Sequence, residues 1–214
     1  MSTVSTATSA APRAPQITRP NTLSVGIIVW LSSELMFFAG LFAMYFTHRS
    51  VAGQAVWSEA AEALNVPFAA INTLILMTSS ITCQFGVWKA EKLIARRDGS
   101  LLNVRRWGMT EWYMLTFILG AIFVSLQIFE YAELVSHGVT ISSGSYGSVF
   151  YITTGFHAIH VAGGLVAFLL IIGRSRLTKR FGHQEASTAV VTSYYWHFVD
   201  VIWIALFFII YILK

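Results

Sequence analysis

Apolar residues dominate the chain in five long stretches, each separated from the next by a short polar connection. A helix crosses a bilayer with about 20 mainly apolar residues, and this pattern predicts spans at about 23–47, 68–88, 112–135, 148–173 and 187–213. Pro67 stands just before the second span, where a first helical turn tolerates it. The third is uncharged from Trp112 to Phe129 and then meets Glu130 and Glu133. The expected fold is therefore an all-α integral membrane protein, a bundle of five transmembrane helices covering residues 23–214. Residues 1–22 are rich in Ser, Thr, Ala and Pro and lack the apolar core of a signal peptide, so they read as a disordered cytoplasmic tail.

Composition agrees with this. Of the 214 residues, 56% are hydrophobic and only 11% charged, against about 25% charged in a soluble domain. The connections are too short for a folded domain outside the membrane. Cys83 is the single cysteine, which excludes an internal disulfide, an iron–sulfur cluster, a C-x-x-C-H haem attachment and a thiolate-bridged copper pair.

The net charge of +4 comes from unevenly placed basic residues. Twelve of the fourteen fall in the tail and in the second and fourth connections; only Arg49 and Lys214 lie on the other side. The excess of Lys and Arg on one side predicts a cytoplasmic N-terminus and an external C-terminus. It marks a membrane face, and nucleic-acid binding is not expected.

An ionisable side chain at mid-bilayer costs roughly 2.5–3.5 kcal/mol on insertion scales, so each one inside a span is a functional candidate. Glu34 lies twelve residues into the first span, near mid-depth at about 1.5 Å per residue, with Phe37, Phe38 and Leu41 on its face. It reads either as a proton-linked or lipid-facing carboxyl or as an acid hydrogen-bonded to a neighbouring helix. His157 and His160 stand three apart on one face of the fourth span, and His197 and Asp200 repeat that spacing on the fifth. Two readings apply: haem ligation between helices, or polar contacts that hold helices together. The second is preferred, because the small residues that would admit a haem, Gly155, Gly163 and Gly164, lie on one helix only. Glu130 and Glu133 read as a solvated helix end, since His137 alone adds too few ligands for a metal. The run Tyr194, Tyr195, Trp196 reads as a bundle or interface contact. No nucleophile with a base and an orienting partner is found, and no Gly/Pro-broken pair of helices suggests a transporter.

Several strings carry a resemblance. Ser33-Glu34-Leu35-Met36-Phe37-Phe38-Ala39-Gly40 resembles the glutamate-bearing helix of subunit III of haem–copper cytochrome c oxidases. Thr154-Gly155-Phe156-His157-Ala158-Ile159-His160-Val161 is similar to that family's T-G-x-H-x-x-H-V signature. Tyr195-Trp196-His197-Phe198-Val199-Asp200-Val201-Ile202-Trp203 is similar to its Y-W-H-F-V-D-x-x-W signature. The strings follow the family's order and cover most of the chain from about residue 24.

The resemblance implies subunit III of an aa3-type oxidase in a short five-helix bacterial form, set in the plasma membrane. Such a subunit holds no haem or metal of its own; haem a and copper belong to partner subunits, and phospholipid is bound. It implies partnership with oxidase subunits I and II, within reach of a larger supercomplex with a cytochrome bc complex. Glu34 becomes the intramembrane carboxylate that supports proton uptake by the catalytic partner. His157, His160, Trp196, His197 and Asp200 become lipid or helix-packing contacts. The chain starts where the third helix of the seven-helix form would, so one wall of that form's lipid cleft falls to another subunit. The paired histidines after the long form's fourth helix are replaced around Gln84-Phe85-Gly86. Subunit III of bo-type quinol oxidases shares the five-helix layout, but usually carries Asp where Glu34 stands; an accessory protein of nitric oxide reductases is a more distant relation.

Overall fold

The computed structural model describes residues 22–62, 64–101, 103–177 and 181–213. The tail expected at 1–22 lies outside the described residues except for Thr22, which opens the first helix. Helices α1 (Thr22–Ala52), α2 (Gln54–Ala61), α3 (Val66–Glu91), α4 (Met109–Ser136), α5 (Ser145–Leu177) and α6 (His183–Phe207) follow in order, and a π-helical turn, Phe208–Ile212, extends α6. Five of them, all but α2, are long and apolar enough to cross a membrane. The protein is an all-helical, multi-pass membrane protein.

The helices outrun the predicted spans because their ends are capped by polar residues that hydropathy does not count. Asn65 accepts from the amide of Phe68 at 3.1 Å and starts α3, satisfying a backbone donor that lacks a helical partner. Glu111 and Glu185 each reach back to a glycine amide, Gly108 at 3.1 Å and Gly182 at 3.0 Å, and start α4 and α6. Helix α2 is absent from the expected elements. It is an eight-residue segment lying after α1, anchored by the buried Trp57 and Ala61.

Helices α3, α4, α5 and α6 close a ring in which each packs on the next and α6 returns to α3. Lipid tails are as apolar as Leu, so membrane helices associate through close packing and interhelical hydrogen bonds. Trp196 of α6 uses the two together to reach every other member of the ring, packing on α4 and α5 and bonding to α3. Its indole lies against Gly120 of α4 and Gly164 of α5, where an added Cβ would come within 2.7 and 2.8 Å of the ring. Its Nε1 donates to Ser79 Oγ of α3 at 3.0 Å. Around it, Trp203 Nε1 donates to Thr73 Oγ1 (2.9 Å), Tyr113 OH to the Ala189 carbonyl (2.9 Å), and Thr82 and Thr116 share a bond of 2.8 Å.

Helix α1 stands outside this ring against α5 and α6. Its buried residues are Phe38, Leu41 and Tyr45, all in its second half. Its first half leaves an apolar crevice of about 260 Å³ walled by Ile27, Trp30, Gly163, Val191 and Tyr195.

Replacing Trp196 by Ala removes contacts with three helices and one hydrogen bond, and a buried Trp→Ala change costs about 3–5 kcal/mol. The Trp196→Ala chain is expected to unfold at a clearly lower temperature in detergent, and an unchanged midpoint would contradict the central role of this side chain.

Candidate functional site: the polar seam between α1 and α5

The crevice closes on Glu34. Its Oε2 lies 3.1 Å from Nε2 of His160, which places the carboxyl of α1 against the imidazole of α5. Both side chains are mostly buried, with 21% and 15% of their surface exposed. The other imidazole nitrogen, Nδ1, is 2.8 Å from the carbonyl oxygen of Phe156, one turn back along α5.

That second contact decides the proton count. A carbonyl oxygen only accepts, so Nδ1 carries a proton. Nε2 of a neutral ring then accepts, and Glu34 must supply the proton between them; otherwise the ring is an imidazolium facing a carboxylate. In both arrangements the pair holds one shared proton and no net charge, which is the state a low-dielectric site tolerates.

Aromatic rings wall the pair. Phe38 meets the imidazole edge-on with centroids 5.0 Å apart, and Phe37 packs at 6.3 Å and against Phe156 at 5.0 Å. Tyr195 of α6 donates to the backbone carbonyl of His160 at 2.8 Å and stacks on Trp30 of α1 at 5.4 Å. Helices α1, α5 and α6 therefore meet within one residue of the pair.

His157 does not join His160. Its ring is fully buried in the ring of four helices, 4.9 Å from Trp203 and 6.2 Å from Phe123, and neither nitrogen has a hydrogen-bond partner among the described residues. Both histidines nonetheless border Phe38 of α1, edge-on at 6.4 Å from His157 and 5.0 Å from His160. His197 bridges α6 to α3, with Nδ1 2.6 Å from Ser80 Oγ and Nε2 3.3 Å from Gln84 Oε1. Since Gln84 presents an acceptor, Nε2 donates to it and Nδ1 accepts from Ser80. Asp200 is buried beside Ser80 of α3. Among the described residues, no three of His, Cys, Asp and Glu gather as metal ligands.

A further correction concerns Glu130. Expected at a solvated helix end, it is 2% exposed. Tyr211 donates to its Oε1 at 2.9 Å and Gln127 to its Oε2 at 3.0 Å. The π-helical turn after α6 carries Tyr211 over the end of α4 and covers the carboxyl. The spacing Gln127-x-x-Glu130 on one helical face was the available signal, because a solvated carboxylate needs no such partner.

Comparisons with known proteins agree with one another. Residues 6–214 match the family described as cytochrome c oxidase subunit III. The chain is 50% identical over 214 residues to a probable cytochrome c oxidase subunit 3 of Mycobacterium leprae, covering 100% of this chain and 99% of that one. It is 53% identical over 207 residues to cytochrome c oxidase subunit 3 of Corynebacterium diphtheriae, covering 96% and 95%. Identity falls to 36% over 195 residues with the subunit 3 of Thermostichus vulcanus, at 91% and 89% coverage.

Two substitutions test the buried acids. Glu34→Gln keeps a donor opposite His160 Nε2 and should leave α1 docked, whereas Glu34→Leu strands the imidazole at a cost of about 1–3 kcal/mol. Glu130→Leu should likewise destabilise more than Glu130→Gln, which still offers Tyr211 an acceptor. Thermal unfolding of the four variants in one detergent reads both comparisons, and equal midpoints within either pair would refute the assigned bond.

Proposed function

The chain belongs to the cytochrome c oxidase subunit III family, and from that membership we propose that it is the non-catalytic subunit III of a proton-pumping terminal oxidase. The complex reduces oxygen to water with electrons from cytochrome c, on haem a and copper held by subunits I and II. This chain carries out no catalysis of its own. It sits in a bacterial plasma membrane with its N-terminus and its basic end cytoplasmic, and it stabilises the catalytic subunit, binds phospholipid and supports proton uptake.

One observation carries the proton-uptake reading. Glu34 Oε2 stands 3.1 Å from His160 Nε2 in an otherwise apolar seam, while His160 Nδ1 faces a carbonyl oxygen, a geometry that suits one proton held between carboxyl and imidazole. Moving that proton from carboxyl to imidazole leaves the pair neutral overall, so the step avoids the desolvation cost that an isolated charge would meet. The crevice above the pair, walled by Trp30, Gly163 and Tyr195, has the apolar lining that suits an acyl chain. A lipid seated there would keep bulk water from the pair. The quinol-oxidase reading is weaker, because the compared relatives are named for cytochrome c oxidase.

Purification of the tagged chain under mild conditions is expected to bring down a haem-bearing, oxygen-reducing partner. Recovery of a lone protein that conducts ions would sink the subunit reading. In the assembled oxidase, Glu34→Gln is expected to keep haem content unchanged and to slow proton uptake by less than about tenfold, under about 1.4 kcal/mol of barrier. Uptake identical to the parent's would remove Glu34 from the proton route and leave it a docking residue.

A further inference from the structure

A second cavity, of about 300 Å³, opens at the basic end of the bundle, where the α3–α4 connection meets the start of α4 and the end of α5. Its inner part is apolar, with Met114, Leu115 and Ile118 along α4, and Ile118 is 47% exposed on the outer face of that helix. Its mouth carries Arg97 and Arg176. Both arginines are exposed, and neither guanidinium has a hydrogen-bond or ion-pair partner among the described residues.

The connection is built to hold these two cations together. Arg96 Nη2 donates to the carbonyl of Arg176 at 2.9 Å, tying the residue next to Arg97 to the end of α5. Thr110 Oγ1 donates to the Ala95 carbonyl at 2.7 Å. Gly108 passes so close to the backbone of Arg96 that an added Cβ would come within 2.5 Å of it. The acidic residue in the lining, Glu111, turns into the connection, where its Oε2 accepts from the amides of Arg97 and Gly108, both at 3.1 Å. Trp107 lines the cavity with its Nε1 bonded to the Leu101 carbonyl at 2.8 Å, in the place where indoles gather at membrane–water boundaries.

We propose that this cavity binds one anionic phospholipid, its phosphate held by Arg97 and Arg176 and an acyl chain laid along Met114, Leu115 and Ile118. A guanidinium pair matches phosphate oxygens in charge and in fork geometry. The apolar strip runs from the polar end of a spanning helix toward mid-bilayer, the direction an acyl chain takes from its headgroup. Basic pockets between membrane helices select anionic headgroups in this way. A soluble phosphate would use the arginines and leave the apolar strip bare. The site lies on the α4–α5 side of the ring, away from the crevice between α1 and the α5–α6 face, so it stands independently of any role for Glu34.

The intact oxidase, reconstituted in phosphatidylcholine nanodiscs doped with phosphatidylglycerol carrying a photoactivatable acyl chain, tests this by peptide mapping. Label is expected to concentrate on the peptide containing Leu115 and Ile118 and to fall by about tenfold in the Arg97→Gln/Arg176→Gln variant. Arg105→Gln, in the same connection but outside the cavity, should keep it. Equal labelling by photoactivatable phosphatidylcholine, or no loss in the double variant, would overturn the proposal. Loss of label on adding millimolar inorganic phosphate would assign the arginines to free phosphate instead. Cross-linking of that peptide to a partner subunit would show the cavity to be a protein interface.

Discussion

Trp196 touches every other helix of the central ring, and the arrangement of those helices follows from making room for it. An indole at the centre of a four-helix membrane bundle demands two nearby positions without side chains and one acceptor for its N–H. Gly120, Gly164 and Ser79 meet those demands from three different helices. In water such a residue would be buried by the hydrophobic effect; between apolar helices in an apolar solvent, close contact and the single hydrogen bond do the holding. Polar pairs above and below it, Trp203 with Thr73 and Tyr113 with Ala189, repeat the same device along the bundle.

Because the ring is complete without α1, that helix docks on finished walls. It contributes few buried residues, and its first half leaves a crevice open. Under these conditions the bond between Glu34 and His160 matters twice. It removes two costly groups from lipid in one contact, and it does so where three helices meet. The same contact that docks α1 therefore also pairs its carboxyl with an imidazole of α5.

The two ends of the molecule are built differently. At one end, short capped turns gather arginines whose backbones are tied, with the side chains of Arg97 and Arg176 exposed. At the other, the π-helical turn folds Tyr211 onto Glu130, and Tyr45, Trp57 and Tyr146 pack edge-to-face above it. Glu130 is thus sealed beneath an aromatic side chain, while Glu59 and Glu62 at the same end stay exposed.

Hydropathy along the chain was enough to show the five spans, because crossing a bilayer is a requirement on about 20 consecutive residues and needs no partner. The motifs around Glu34, His157 and Trp196 likewise identified the family, as local strings do. Helix α2 escaped notice because eight residues of mixed character have no such requirement, and only the packing of Trp57 under Tyr45 and Tyr146 makes them a helix. Pairings escaped for a related reason. Residues three apart on a helix differ by about 60° around its axis, enough to bury His157 fully while His160 meets Glu34, although both border Phe38. Glu130 looked solvated until a turn from the far end of the chain covered it. The sequence by itself determined which segments are long and apolar enough for the membrane; the tertiary structure decided which buried polar groups meet, since that depends on neighbours as much as 126 positions apart.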